Sequence, residues 1–188
     1  MLRITAGEHR GRKLKVPEVK ATRPLVERAR QAFFDHLGDT VENAVVWDVY
    51  AGSGILGLEA LSRGAQRVFA VEIHPRAAKQ LRENAEMLGC SERVQVRRMD
   101  VGRFLDTEPE TPQILFFDPP YKDFDGPQRE AVWELFCRMA GCLSPGGCAV
   151  VHTSRGILSA REMDCLPGLE RRDYGTTSLY WWHAPPPI

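Results

Sequence analysis

The sequence predicts an α/β fold, a mostly parallel sheet with helices on both faces, preceded by a small basic β-hairpin. Three observations carry this. From Val45 onward, short apolar runs alternate with segments of helical period, the pattern of strands buried on both faces and joined by crossover helices. Gly52-Ser53-Gly54-Ile55-Leu56-Gly57 directly follows the first of those runs, where a glycine turn from strand to helix belongs. Residues 1–24 differ, with two short basic β-like runs, Leu2 to Thr5 and Arg12 to Val16, around Gly7 and Gly11; this reads as a hairpin or extended arm.

Taken in order, the arm gives way to a helix at Pro24, whose Leu25, Ala29, Phe33 and Leu37 recur every fourth position. Proline suits that first turn because its missing amide would be unpaired there. Core strands are expected at Val45 to Tyr50, Val68 to Val71, Val94 to Val96, Ile114 to Phe117 and Cys148 to Val151. Helices are expected at Leu56 to Arg63, Pro75 to Leu88 and Gln128 to Leu143, the last ended by Ser144-Pro145-Gly146-Gly147. Leu169 to Trp182 has extended composition around Gly175, which predicts a closing antiparallel hairpin. The chain is thus read as an arm, residues 1–24, and a body, residues 25–188.

With 188 residues, 43% hydrophobic and 27% charged, a disordered or fibrous chain is excluded. Lysine plus arginine (25) equals aspartate plus glutamate (25), yet residues 1–30 hold nine basic against three acidic side chains. That split predicts a polyanion-binding arm on a neutral-to-acidic body. No run of about 18 apolar residues occurs, and no apolar segment follows the basic N-terminus, so a cytosolic protein without membrane span or signal is expected. Five cysteines with no C-x-x-C pair predict reduced thiols, neither disulfide framework nor metal site.

The glycine turn predicts a nucleotide-type ligand, because glycines let a ligand approach main-chain atoms without a Cβ clash. Two ligands compete, a dinucleotide such as NAD and S-adenosylmethionine. Asp48 discriminates: a carboxylate inside the strand end would face a negative pyrophosphate, whereas it suits the ammonium and sulfonium of S-adenosylmethionine. Glu72, at the tip of Val68-Phe69-Ala70-Val71, is placed to accept from both ribose hydroxyls. Asp100, ending the third strand, is placed for an adenine amine. The expected donor-binding set is Asp48, Tyr50, Ala51, Gly52, Ser53, Gly54, Glu72, Ile73, Asp100 and Val101.

Asp118-Pro119-Pro120-Tyr121, after the apolar run Ile114-Leu115-Phe116-Phe117, is the most specific feature of the chain. Methyl transfer to an exocyclic base amine requires the nitrogen lone pair to be drawn out of the ring. The Asp118 carboxylate and the Pro119 carbonyl can each accept one N–H of the amine and aim its lone pair at the methyl group. Pro119 and Pro120 fix φ and stiffen the corner. Tyr121 can stack on a base that has left its helix. Asp118 or water can take the released proton.

These motifs make the chain resemble the RsmD-type family of bacterial 16S rRNA guanine-N2 methyltransferases over nearly its whole length. The residues that carry the likeness are Ile4-Thr5-Ala6-Gly7 with Arg10-Gly11-Arg12-Lys13-Leu14, Thr22-Arg23-Pro24 with Arg28 and Arg30, and Asp48-Val49-Tyr50-Ala51-Gly52-Ser53-Gly54. They continue through Gly57-Leu58-Glu59-Ala60-Leu61-Ser62-Arg63-Gly64-Ala65, Val71-Glu72, Asn84 and Asp118-Pro119-Pro120-Tyr121. The resemblance implies a Rossmann-like class I S-adenosylmethionine-dependent methyltransferase with a seven-stranded, mostly parallel sheet and a final antiparallel strand. It implies donor contacts at Asp48, Gly52, Gly54, Glu72 and Asp100, with Asp118 and Tyr121 holding a guanine 2-amino group. Its substrate would be rRNA in a pre-assembled 30S-type particle, met by a monomer.

Departures are Tyr50 where the family usually has phenylalanine, Phe33 where leucine is usual, and His152-Thr153-Ser154 where a glutamate often stands. That last edge is therefore expected outside the site, with His74 and His152 as surface or loop histidines. The arm's expected RNA contacts are Arg3, Arg10, Arg12, Lys13, Arg23, Arg28 and Arg30, positioning phosphates without reading sequence. Removing residues 1–20 is expected to weaken RNA binding while sparing the donor. The rival readings are an adenine-N6 DNA or RNA methyltransferase, an NAD-dependent oxidoreductase, and a non-catalytic RNA-binding assembly factor. The residues by themselves leave guanine N2 and adenine N6 both open.

Overall fold

The computed structural model describes residues 2–16, 27–107 and 109–186, apart from the side chains of residues 27–29 and 125. The expected start of the first helix at Pro24, and Arg23, lie outside the described residues. The chain forms two compact units, Met1–Glu110 and Thr111–Ile188.

In the first unit, strands β1 (Leu2–Arg3) and β2 (Lys13–Leu14) pair antiparallel as the expected hairpin. Helix α1 spans Glu27–Leu37. Then β3 (Val45–Val49), α2 (Ile55–Ser62), β4 (Arg67–Val71), α3 (Pro75–Leu88) and β5 (Val94–Arg97) alternate. The strands lie parallel in the order β5-β4-β3. All five residues of β3 are buried, Asp48 included. Helix α3 starts with Pro75 at its N-terminus and stops at Gly89, which takes the left-handed conformation that ends helices. Trp47 meets Phe104 edge to face at 5.1 Å, and its indole N–H donates to the Glu110 carbonyl at 3.0 Å. This contact anchors the turn that follows Asp100.

The second unit runs β6 (Ile114–Phe117), α4 (Tyr121–Asp125), α5 (Arg129–Ala140), β7 (Cys148–Ser154), α6 (Ala160–Asp164), β8 (Glu170–Tyr174) and β9 (Thr177–His183). Its strand order is β6-β7-β9-β8, with β6 and β7 parallel and β9 antiparallel to both neighbours. The closing hairpin and the final antiparallel strand are therefore as expected. Strand β7 is three residues longer than its apolar run, because His152, Thr153 and Ser154 pair with Leu179, Ser178 and Thr177 of β9. Polar residues hid that extension. Among the described residues the first unit thus holds three parallel strands besides its hairpin, and the second four strands with the antiparallel ending that the resemblance implies.

Candidate functional site

The glycine turn is built by local conformation. Tyr50 has φ +61°, rare for a residue with a side chain, and Gly52 and Gly54 follow at +55° and +78°. A left-handed non-glycine residue carries backbone strain of roughly 1–3 kcal/mol and tends to mark a functional turn. The two glycines do different work. A Cβ on Gly52 would meet nothing nearer than the Tyr50 carbonyl at 4.0 Å, so the backbone there is open to a ligand. A Cβ on Gly54 would fall 2.6 Å from Leu81 Cγ of α3, so helix and loop close against each other.

Two carboxylates hold this turn. Glu72, 9% exposed, accepts the Gly52 N–H at 2.8 Å with one oxygen and the His74 N–H at 2.7 Å with the other. Each oxygen has a second lone pair for a hydroxyl donor. Asp48 is 1% exposed, and its Oδ2 accepts the Gly57 N–H in the first turn of α2 at 2.9 Å. That oxygen is held at the helix N-terminus, whose unpaired amides favour an anion there. Ala51 and Ser53 are buried in the turn, Ile73 stands 61% exposed beside Glu72, and Asp100 is exposed while accepting the Gly102 N–H at 2.8 Å. Val101 is buried. An open backbone, a carboxylate with lone pairs to spare and an exposed apolar side chain fit a nucleoside with ribose hydroxyls.

The arm is docked rather than loose. Asn84 of α3, fully buried, donates to the Ser53 carbonyl at 3.1 Å and to the Lys15 carbonyl at 2.9 Å, and accepts the Lys15 N–H at 3.0 Å. One amide thus ties arm to glycine turn. Glu59 of α2, also fully buried, accepts the amides of Thr5 and Ala6, the Thr5 hydroxyl, and Arg30 and Arg63. A Cβ on Gly7 would fall 1.6 Å from the Ser62 carbonyl oxygen, so the arm lies directly on α2. The described part of the arm, residues 2–16, is thus fastened to α2 and α3.

Of the expected RNA contacts, Arg3, Arg10, Arg12 and Lys13 are exposed, although Arg12 also donates to the Met87 carbonyl at 3.0 Å. Arg30 is a correction. It is 0% exposed and pairs with Glu59 at 3.2 Å, because a buried carboxylate needs a buried cation. The side chain of Arg28 lies outside the described residues.

In the second unit, the corner begins where β6 ends. Pro119 is buried, and Pro120, at φ −55°, sits at the N-terminus of α4, whose first residue is Tyr121. His152 was expected elsewhere, and the structure corrects that: it is 4% exposed, with Nδ1 2.7 Å from Asp118 Oδ1 and Nε2 3.0 Å from the Tyr121 hydroxyl. The rings of Tyr121 and His152 meet edge to face at 5.5 Å. The register explains it. Phe117 pairs with Val151 in parallel, so the next positions, 118 and 152, stand side by side. A sequence signal existed in the equal spacing of the two apolar runs, but it needed the strands to be neighbours. Among the described residues no group of three or more His, Cys, Asp or Glu is placed to hold a metal ion.

This arrangement is that of the Rossmann-like, class I methyltransferase fold. The chain matches the family model described as conserved hypothetical protein 95 over residues 2–183 and belongs to that RsmD-type family. It is 36% identical over 121 residues to the ribosomal RNA small subunit methyltransferase D of Escherichia coli K12, covering 64% of this chain and 61% of that protein. The Haemophilus influenzae protein of the same name is 37% identical over 123 residues, covering 64% of each. The matched region thus spans just under two thirds of these curated relatives. A solved hypothetical protein of Thermus thermophilus superposes with a TM-score of 0.80 at 32% identity, covering 97% of this chain and 99% of the other. An RNA methyltransferase of Salinibacter ruber, solved with S-adenosylhomocysteine, shares the fold at a TM-score of 0.62 and 20% identity, covering 88% and 96%.

Proposed function

We propose that this protein methylates the 2-amino group of a guanine in small-subunit rRNA, using S-adenosylmethionine. The observation that carries the reading is the corner Asp118-Pro119-Pro120-Tyr121, held at the end of β6 and ordered through His152. The names of the family relatives support the substrate class. When bound, S-adenosylmethionine supplies an electrophilic methyl group on a sulfonium.

The chain's own groups do the rest. Gly52 offers open backbone and Gly54 lets the turn close on α3, Glu72 accepts ribose hydroxyls, and Ile73 covers an apolar face of the nucleoside, with Asp100 for the adenine amine. The Asp118 carboxylate and the Pro119 carbonyl accept the two N–H groups of the target amine, which draws its nitrogen toward tetrahedral geometry. Tyr121 stacks on the guanine once it has left its helix. As the product amine becomes acidic, Asp118 or water takes its proton. Arg3, Arg10, Arg12 and Lys13, with Arg23 and Arg28, meet RNA phosphates, and residues 1–24 act as the RNA-binding extension of a methyltransferase domain over 25–188. The protein works as a monomer in the cytoplasm on a pre-assembled 30S-type particle; among the described residues no helix is long and apolar enough to cross a membrane.

The test is transfer of labelled methyl from S-adenosylmethionine to small subunits lacking base methylation, followed by digestion to nucleosides and mass analysis. N2-methylguanosine is expected, and Asp118→Ala abolishes it while S-adenosylhomocysteine binding persists. N6-methyladenosine as the product, or full activity in Asp118→Ala, refutes the reading.

A further inference from the structure

We infer that His152 is a positioning residue of the amine-binding corner, orienting Asp118 through Nδ1 and Tyr121 through Nε2. The inference rests on the methyl-transfer reading above. Strand β7 brings His152 into place with its side chain only 5% exposed, between a carboxylate 2.7 Å away on one ring nitrogen and a phenol 3.0 Å away on the other.

The tautomer follows from the partners. An ionised carboxylate only accepts, so Nδ1 carries the proton, and in the neutral ring Nε2 then accepts from the Tyr121 hydroxyl. One consequence falls on Asp118. Its Oδ1 is engaged by His152, so the carboxylate cannot rotate at will, and Oδ2 is the oxygen that meets the target amine. A second falls on Tyr121, whose ring has its hydroxyl end pinned and stands in a fixed plane for a base to stack on. Prolines stiffen the backbone of this corner; His152 stiffens its side chains.

Amide substitutions separate the two bonds. Asn places an N–H near the position of Nδ1, and Gln can place its carbonyl oxygen near that of Nε2, where it accepts from the Tyr121 hydroxyl as the ring nitrogen does. His152→Asn therefore keeps the bond to Asp118 and loses that to Tyr121, whereas His152→Gln does the reverse. With labelled S-adenosylmethionine and unmethylated small subunits, His152→Ala is expected to lose up to about a hundredfold in kcat, the size of effect that misplacement of a reacting group produces. Its donor KM and its affinity for S-adenosylhomocysteine stay as in the wild type. His152→Asn recovers most of the rate, and His152→Gln recovers much less. Equal rates for Asn and Gln, an unaffected Ala variant, or a donor affinity that falls with the rate would overturn the assignment; if the Ala variant does not fold, the comparison of Asn with Gln decides.

Nitrogen-15 NMR of the ring gives a readout that needs no RNA. His152 is expected as the Nδ1–H tautomer in the wild type and to leave that state in Asp118→Ala. An Nε2–H tautomer in the wild type overturns the proposal even if methyl transfer is confirmed. A wild-type protein with the expected tautomer but no transfer to guanine sinks the methyl-transfer reading instead.

Discussion

Glu59→Ala should be among the most damaging single changes in the chain, and worse than removing its partner Arg30. The structure gives the asymmetry. Glu59 Oε1 accepts the Thr5 amide at 3.0 Å, the Ala6 amide at 3.2 Å and Arg63 at 3.1 Å, while Oε2 accepts Arg30 at 3.2 Å. If Arg30 becomes methionine, the carboxylate keeps a guanidinium and two backbone donors. If Glu59 becomes alanine, Arg30 is left, among the described residues, with the Arg3 carbonyl at 2.6 Å, and its Nη1 has no hydrogen-bond partner among them. Breaking a buried pair so that one charge is left uncompensated costs about 3–5 kcal/mol, against a total stability of roughly 5–15 kcal/mol. At about 2–4 °C for each kcal/mol in a chain of this size, Glu59→Ala should lower Tm by about 6–20 °C. Thermal unfolding followed by circular dichroism measures this, and hydrogen exchange at the Thr5 and Ala6 amides should speed up in the same variant. A smaller loss in Glu59→Ala than in Arg30→Met, or amides still protected, would refute the claim that Glu59 fastens the arm to α2.

The arm's exposed charges should act separately from its docking: substituting Arg10 and Lys13 by alanine should leave Tm in place while reducing the salt slope of RNA binding by roughly 0.7–0.9 for each phosphate no longer neutralised. An unchanged slope would remove them from the interface. Arg129, whose guanidinium grips Glu162 with Ser159 assisting against the opposing effect of burial, holds that carboxyl down to about 2 from an ordinary 4.5. A lowered folded value means the contribution to stability is complete above pH 4.5 and is lost as pH falls toward about 2; the stability gap between wild type and Glu162→Gln, measured by urea unfolding, should therefore close across that window, and a gap that stays constant throughout it would rule the pair out.

Much of this protein can be read along the chain. Short apolar runs mark β3, β4 and β6, and the alternating Val94-Gln95-Val96 marks β5; the turns that follow β4, β5 and β6 carry Glu72, Asp100 and Asp118, where a ligand is expected. Period and composition suffice for this because a strand buried on both faces must be apolar throughout, and crossover connections leave polar residues at its end. The same logic failed where a polar residue is buried. His152, Glu59, Asn84 and Arg30 are all 4% exposed or less, and composition alone assigns such side chains to the surface.

The sequence by itself determined the α/β order, the glycine turn and the diproline corner, since each is written in neighbouring residues. The tertiary structure alone decided which buried polar groups meet. Arg30 finds Glu59 across 29 positions, Asp118 finds His152 across 34, and Lys15 finds Asn84 across 69. The physical reason is that a hydrogen bond between distant segments depends on strand register and helix docking, which are fixed by packing of the whole unit and leave no periodic trace in either partner.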